Sequence, residues 1–202
     1  SQAHRLLICA AFSDKPTLLQ CTETNRDMEA TAECLTALGA NIIRTDSGFT
    51  VFPMETVPEK ARMNCGESGS TLRFLIPVAL ALAGGGVFTG HGRLMERPQK
   101  PYFDLFTEKG IAYAQKDGVL TVRGTLTPGE YALPGNVSSQ FFTGLLYALP
   151  LLEGDSTLRV TTELESRSYI DMTLDALCGC GITVREEPGE FPVFRIPGGQ
   201  TY

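Results

Sequence analysis

Polar and apolar positions repeat along this chain at two scales. Within short windows the pattern alternates between helical and strand periods, and the same alternation returns three times. Leu38-Gly39-Ala40, Lys109-Gly110-Ile111 and Cys180-Gly181-Ile182 each end an amphipathic stretch on a glycine and open a strand, and the three glycines stand at equal intervals. Ser1, Ser70 and Ser138 each open an apolar stretch at nearly the same spacing. Two landmarks in one register imply three copies of one unit, at roughly 1–60, 61–127 and 128–202.

Each copy reads as helix, strand, helix, strand, strand. In the second, 70–83 is an apolar helix stopped by Gly84-Gly85-Gly86, 87–89 a strand and 100–109 an amphipathic helix stopped by Gly110. A hairpin of 111–115 and 119–122 then turns on Lys116-Asp117-Gly118. The third copy predicts a helix over 139–152, a strand over 157–160, a helix over 169–178 and strands over 182–185 and 194–196. The first matches more loosely, with helices over 3–11 and 27–38.

The first helix of each unit is apolar nearly all round and belongs in an interior, whereas the second is amphipathic and belongs outside. The expected fold is α/β, one domain over 1–202. It comprises three pseudo-threefold-related units of βαβαββ type, with parallel apolar helices inside and sheets and amphipathic helices outside. Parallel inner helices bring their N-termini to one face, where free N–H groups and helix dipoles favour an anion.

Composition narrows the ligand. The chain has 202 residues, 43% of them hydrophobic and 20% charged, as in ordinary globular proteins. A net charge of −6 argues against nucleic-acid binding by bulk electrostatics, so an anion must be caught by a local basic cluster. The longest apolar run, Phe74 to Ala83, is too short for a bilayer. No charged-then-apolar leader stands at the start, and six cysteines without a C-x-x-C pair suit reduced thiols and no zinc. The expectation is a cytoplasmic protein needing neither metal nor cofactor.

The inner-helix starts carry small, polar or basic residues: Ser1 to Arg5, Glu67 to Arg73, and Asn136 to Gln140. Any one serine there reads as an N-cap. Arg5 and Arg73, a turn inside apolar helices, call for an anion, and the recurrence at three equivalent places favours a ligand site. The loops holding Arg93 and Arg97, and Ser166, Arg167 and Tyr169, follow strands and precede helices, which directs them to the same edge. Each of these arginines reads equally as a solvated loop charge, and Tyr169 as a ring stacker or a helix cap.

Gly66-Glu67-Ser68-Gly69-Ser70-Thr71-x-Arg73, Met95-Glu96-Arg97-Pro98, Ser138-Ser139-Gln140 and Ser166-x-x-Tyr169-Ile170-Asp171 resemble, in order, the motifs of the EPSP synthases. Ser1-x-x-x-Arg5 resembles that family's first substrate motif, and the chain begins one residue after the motif's lysine. Ser-Ser-Gln separates this family from the UDP-N-acetylglucosamine enolpyruvyl transferases, whose cysteine loop is not found.

The resemblance implies two domains of three such units closing on substrate, with this chain the first and the second, catalytic domain missing. It implies transfer of the enolpyruvyl group of phosphoenolpyruvate to shikimate 3-phosphate. Ser1, Arg5, Ser138, Ser139, Gln140, Ser166 and Tyr169 would meet shikimate 3-phosphate, and Gly69, Ser70, Arg73, Arg97 and Gln140 phosphoenolpyruvate. The proton-transfer groups would lie in the other half, and no residue here is assigned to catalysis. Many members carry asparagine at the position of Glu67; a carboxylate there would repel phosphoenolpyruvate unless it caps its helix or pairs with an arginine. Two other readings remain open at this point: a scaffold without chemistry, and an enolpyruvyl transferase acting on a nucleotide sugar.

Overall fold

A computed structural model describes residues 2–202 of the chain. Three apolar stretches form the centre: α1 (Gln2–Phe12), α3 (Gly69–Ala83) and α5 (Gln140–Ala148). Leu72, Leu75, Ile76, Phe142, Leu145, Leu146, Leu7 and Ile8 are sealed from solvent, as an all-round apolar helix requires. The amphipathic stretches α2 (Arg26–Ala37), α4 (Lys100–Lys109) and α6 (Arg167–Gly179) bury one face each and expose the other.

The strands are β1 (Thr17–Gln20), β2 (Asn41–Thr45), β3 (Gly48–Phe52), β4 (Arg62–Asn64), β5 (Gly85–Thr89), β6 (Ala112–Lys116), β7 (Val119–Arg123), β8 (Glu130–Leu133), β9 (Ser156–Val160), β10 (Arg185–Glu187) and β11 (Val193–Ile196). They make three sheets, ordered β1-β3-β2, β4-β5-β7-β6 and β8-β9-β11-β10. In the two four-stranded sheets the first pair is parallel and the others antiparallel. The order β5-β7-β6 recurs as β1-β3-β2 and as β9-β11-β10, so the sheets carry the sequence repeat into space. The leading strands β4 and β8, like β1, β2 and β3 of the loosely matched first unit, are elements to which the residue pattern gave no bounds.

Two boundaries move by three residues or more from the periodicity reading, and the others by no more than two. The helix expected over 139–152 is α-helical to Ala148 and ends in a 3₁₀ turn, Leu149–Leu151. Pro150 has no N–H to continue the α ladder. The strand expected over 182–185 starts only at Arg185. The Gln200 side chain takes both backbone groups of Thr183, accepting from its N–H at 2.7 Å and donating to its C=O at 2.9 Å, and so removes Thr183 from the sheet.

Pro77 lies inside α3 and leaves the Arg73 carbonyl without its helical donor. The buried Tyr102 hydroxyl of α4 fills that place, 2.6 Å from the Arg73 oxygen. A side chain at Gly144 of α5 would fall on the Tyr102 hydroxyl and the Arg73 carbonyl, so glycine is what lets α5 lie against α3 here. This knot fixes how the two helices start, and their starts form the site.

Candidate anion-binding site

Five helices begin around one cavity of about 370 Å³. His4 and Arg5 come from α1, Asn25 and Asp27 from α2, Ser70 and Phe74 from α3, Ser138, Ser139 and Gln140 from α5, and Ser166 and Tyr169 from α6. The geometry answers the charge problem of an acidic chain: N–H groups and positive dipole ends converge locally whatever the total charge. Asp27 is the one carboxylate among the lining residues.

The serines divide by what their hydroxyls do. Ser68 caps α3 by accepting from the Thr71 N–H at 3.1 Å, and the Ser138 hydroxyl accepts from the Gln140 N–H at 3.2 Å. The N-cap residues Ser139 and Ser166 make no capping bond with their side chains. Ser166 holds its cavity position in the left-handed conformation (φ 55°), uncommon for a residue with a Cβ.

Arg5 is buried inside α1, where its Nε donates to the Thr173 hydroxyl at 3.0 Å and its guanidinium lies 5.5 Å from the Phe74 ring centre. Tyr169 stays half exposed on the rim, with its carbonyl 3.4 Å from Arg5 Nη2. Its side chain serves as wall and not as a helix cap.

Gly69, Arg73 and Arg97 form a neighbouring cluster and do not line the cavity. Arg73 reaches back to it, donating to Gln140 Oε1 at 3.2 Å, and is held by Gln99 Oε1 at 3.3 Å and the Pro98 carbonyl at 3.1 Å. Its guanidinium lies over Phe141, 4.5 Å from the ring centre. The Arg97 guanidinium rests against Gly69, in the space a side chain there would fill. Burial, and then the nearby Arg97 charge, pull the Arg73 pKa below its ordinary value. Among the described residues neither guanidinium has a carboxylate partner. Two like charges held together this way suit an anion between them.

The other expectations resolve individually. Ser1 lies outside the described residues. Arg93 pairs with Glu96 in solvent, and Arg167 pairs with Asp171 and Glu186, so both are surface charges. Glu67 neither caps α3, a task Ser68 performs, nor forms an ion pair among the described residues; it is exposed beside Gly92. His4, Asn25, Asp27 and Phe74 are lining residues that motif reading did not assign. Asn25 carried a usable signal, since it caps α2 by accepting from the Met28 N–H at 2.9 Å.

No group of three or more His, Cys, Asp or Glu among the described residues could hold a metal ion. The six cysteines are free thiols. No described helix is long and apolar enough to cross a membrane.

Comparison with known proteins identifies the family of the chain. The profile of the EPSP synthase (3-phosphoshikimate 1-carboxyvinyltransferase) family matches residues 1–201. A 3-phosphoshikimate 1-carboxyvinyltransferase of Clostridium kluyveri is 43% identical, and one of Clostridium beijerinckii 41%; each match covers 100% of this chain and 48% of the relative. The chain thus spans about half the length of the curated relatives it matches. In fold it resembles an EPSP synthase of Acinetobacter baumannii with a TM-score of 0.77 at 20% identity, over 99% of this chain and 45% of that one. The chain belongs to the EPSP synthase family.

Proposed function

We propose that this chain is the shikimate 3-phosphate-binding half of an enzyme of aromatic amino acid biosynthesis. The whole enzyme transfers the enolpyruvyl group of phosphoenolpyruvate to the 5-hydroxyl of shikimate 3-phosphate and releases phosphate. The observation that carries the reading is the cavity where five helices begin, lined by Arg5, Ser70, Ser138, Ser139, Gln140, Ser166 and Tyr169.

Ser138, Ser139 and Ser166 hold the 3-phosphate with hydroxyl and backbone donors. Arg5, with Ser1, meets the carboxylate side, and Tyr169 covers the ring. Gln140, held by Arg73, stands between this ligand and phosphoenolpyruvate, whose charged groups meet Arg73, Arg97 and the backbone at Gly69 and Ser70. On this reading residues 1–202 are one domain of three units, and the proton-transfer groups come from a second domain that closes over the cavity. Alone, the chain binds and does not turn over, since general acid–base catalysis needs a placed proton donor. We place the enzyme in the cytoplasm.

The test belongs in the whole-length enzyme. Arg73→Ala and Arg97→Ala each raise KM for phosphoenolpyruvate by about ten- to a hundredfold, the loss of one charge-assisted contact, and leave shikimate 3-phosphate binding nearly unchanged. Ser139→Ala does the reverse. An unchanged KM for phosphoenolpyruvate in both arginine variants overturns the assignment of that subsite.

A further inference from the structure

Between Pro98 and the first turn of α4, Gln99 is sealed from solvent at 2% exposure. A buried amide is costly unless both of its ends are paired, and here both are. Its Oε1 accepts from Arg73 Nε at 3.3 Å, and its Nε2 donates to the Arg97 carbonyl at 3.4 Å. The partners fix which way the amide turns, since a guanidinium can only donate and a carbonyl only accept. Gln99 stands in the N-cap place of α4 yet makes no capping bond, because its side chain is turned to Arg73 instead. The other acceptors of Arg73 are Gln140 Oε1 and the Pro98 carbonyl. Among the described residues all three acceptors are neutral, and two of the five guanidinium N–H groups are left over.

We propose that Gln99 is a positioning residue of the phosphoenolpyruvate subsite: anchored on the Arg97 carbonyl, it holds the Arg73 guanidinium in place and leaves its charge uncancelled for an anion. The inference rests on the assignment of Arg73 to phosphoenolpyruvate proposed above. A carboxylate at position 99 would grip Arg73 more strongly through a charge-assisted bond, and would neutralise the charge that a phosphate or carboxylate must find. An apolar side chain would leave the charge but release Nε, and a long side chain freed at one contact regains rotamers that binding must then freeze. A neutral amide avoids both losses. Gln140 does the same at Nη1, so two amides and one backbone carbonyl, none of them charged, hold the guanidinium over Phe141.

Steady-state kinetics of the whole-length enzyme with Gln99→Glu and Gln99→Met test it. Gln99→Glu keeps an acceptor for Arg73 and adds the cancelling charge, so KM for phosphoenolpyruvate rises about tenfold. Gln99→Met keeps the charge and loses only the hold, so the rise is smaller, about threefold. In both variants KM for shikimate 3-phosphate stays within about twofold, and in an Arg73→Ala background Gln99→Met adds less than about twofold, because it acts through Arg73. Should Gln99→Glu fail to fold, that cycle with Gln99→Met decides alone. An unchanged KM for phosphoenolpyruvate in Gln99→Glu, a matching rise in Gln99→Met, or equal rises for both substrates overturns the proposal. A full further rise from Gln99→Met without Arg73 overturns it too. Where Arg73→Ala by itself raises KM for phosphoenolpyruvate, the proposed function survives such a result; where it does not, that subsite falls as well.

Discussion

Gly69 and Arg97 show how a single missing side chain can shape a subsite. The Arg97 guanidinium occupies the space beside Gly69 and has no carboxylate to hold it there among the described residues. Gly69→Ala therefore displaces Arg97 more than it strains the helix, because the far end of an exposed arginine yields easily. In whole-enzyme kinetics Gly69→Ala should raise KM for phosphoenolpyruvate as Arg97→Ala does, and the double variant should be no worse than either single one. Additive losses would mean that the glycine acts by its own contact with substrate. Ser166 makes the opposite trade, holding a left-handed backbone at some cost to keep a hydroxyl on the cavity. Ser166→Gly should stabilise the fold by up to about 1 kcal/mol in chemical denaturation while weakening shikimate 3-phosphate binding. A variant that binds as well as the original would make the serine dispensable.

Among the elements, α3 depends most on a neighbour. Pro77 removes the donor for the Arg73 carbonyl, and Tyr102 replaces it from α4. Tyr102→Phe should cost on the order of 1–3 kcal/mol, the penalty of a buried unpaired carbonyl. Because that carbonyl belongs to Arg73, the loss should come with a higher KM for phosphoenolpyruvate. Full stability in the variant would show that water or a shifted helix satisfies the carbonyl instead. Much of this architecture was legible in residue order. The glycine stops at 39, 110 and 181 marked the ends of the outer helices, and the all-apolar faces of α3 and α5 marked the interior. Three-residue β4 is too short for its period to register, and the cut at Thr183 depends on Gln200, seventeen residues away. The motif serines and Arg5 were found because their chemistry recurs at equivalent places. Asp27 and Phe74 were not, since a carboxylate in a first helical turn and a phenylalanine in an apolar helix look like ordinary structure.

For the whole molecule, His4 links the site to acid stability. Its pKa is about 4 in the folded chain, against 6.5 when unfolded, because burial disfavours the charged ring. Between those values the unfolded chain binds more protons, so stability is intact above pH 6.5 and falls as the pH drops toward 4. The loss attributable to His4 is on the order of 3 kcal/mol. Denaturation at pH 7 and pH 4.5 should show it, and His4→Phe should remove that part of the difference. An unchanged pH slope in the variant would mean that His4 is protonated in the folded state without penalty.

On the proposed function, converging helix starts let an acidic protein hold a phosphorylated acid. Calorimetric titration of this chain at pH 7 with shikimate 3-phosphate, and in parallel with shikimate, tests it most directly. Saturable one-to-one binding of the phosphorylated ligand is expected, weaker than in a closed two-domain enzyme. Shikimate, which leaves Ser138, Ser139 and Ser166 without an anion, should bind at least about tenfold more weakly. Equal affinity for the two ligands, or no saturable heat with either, would contradict it.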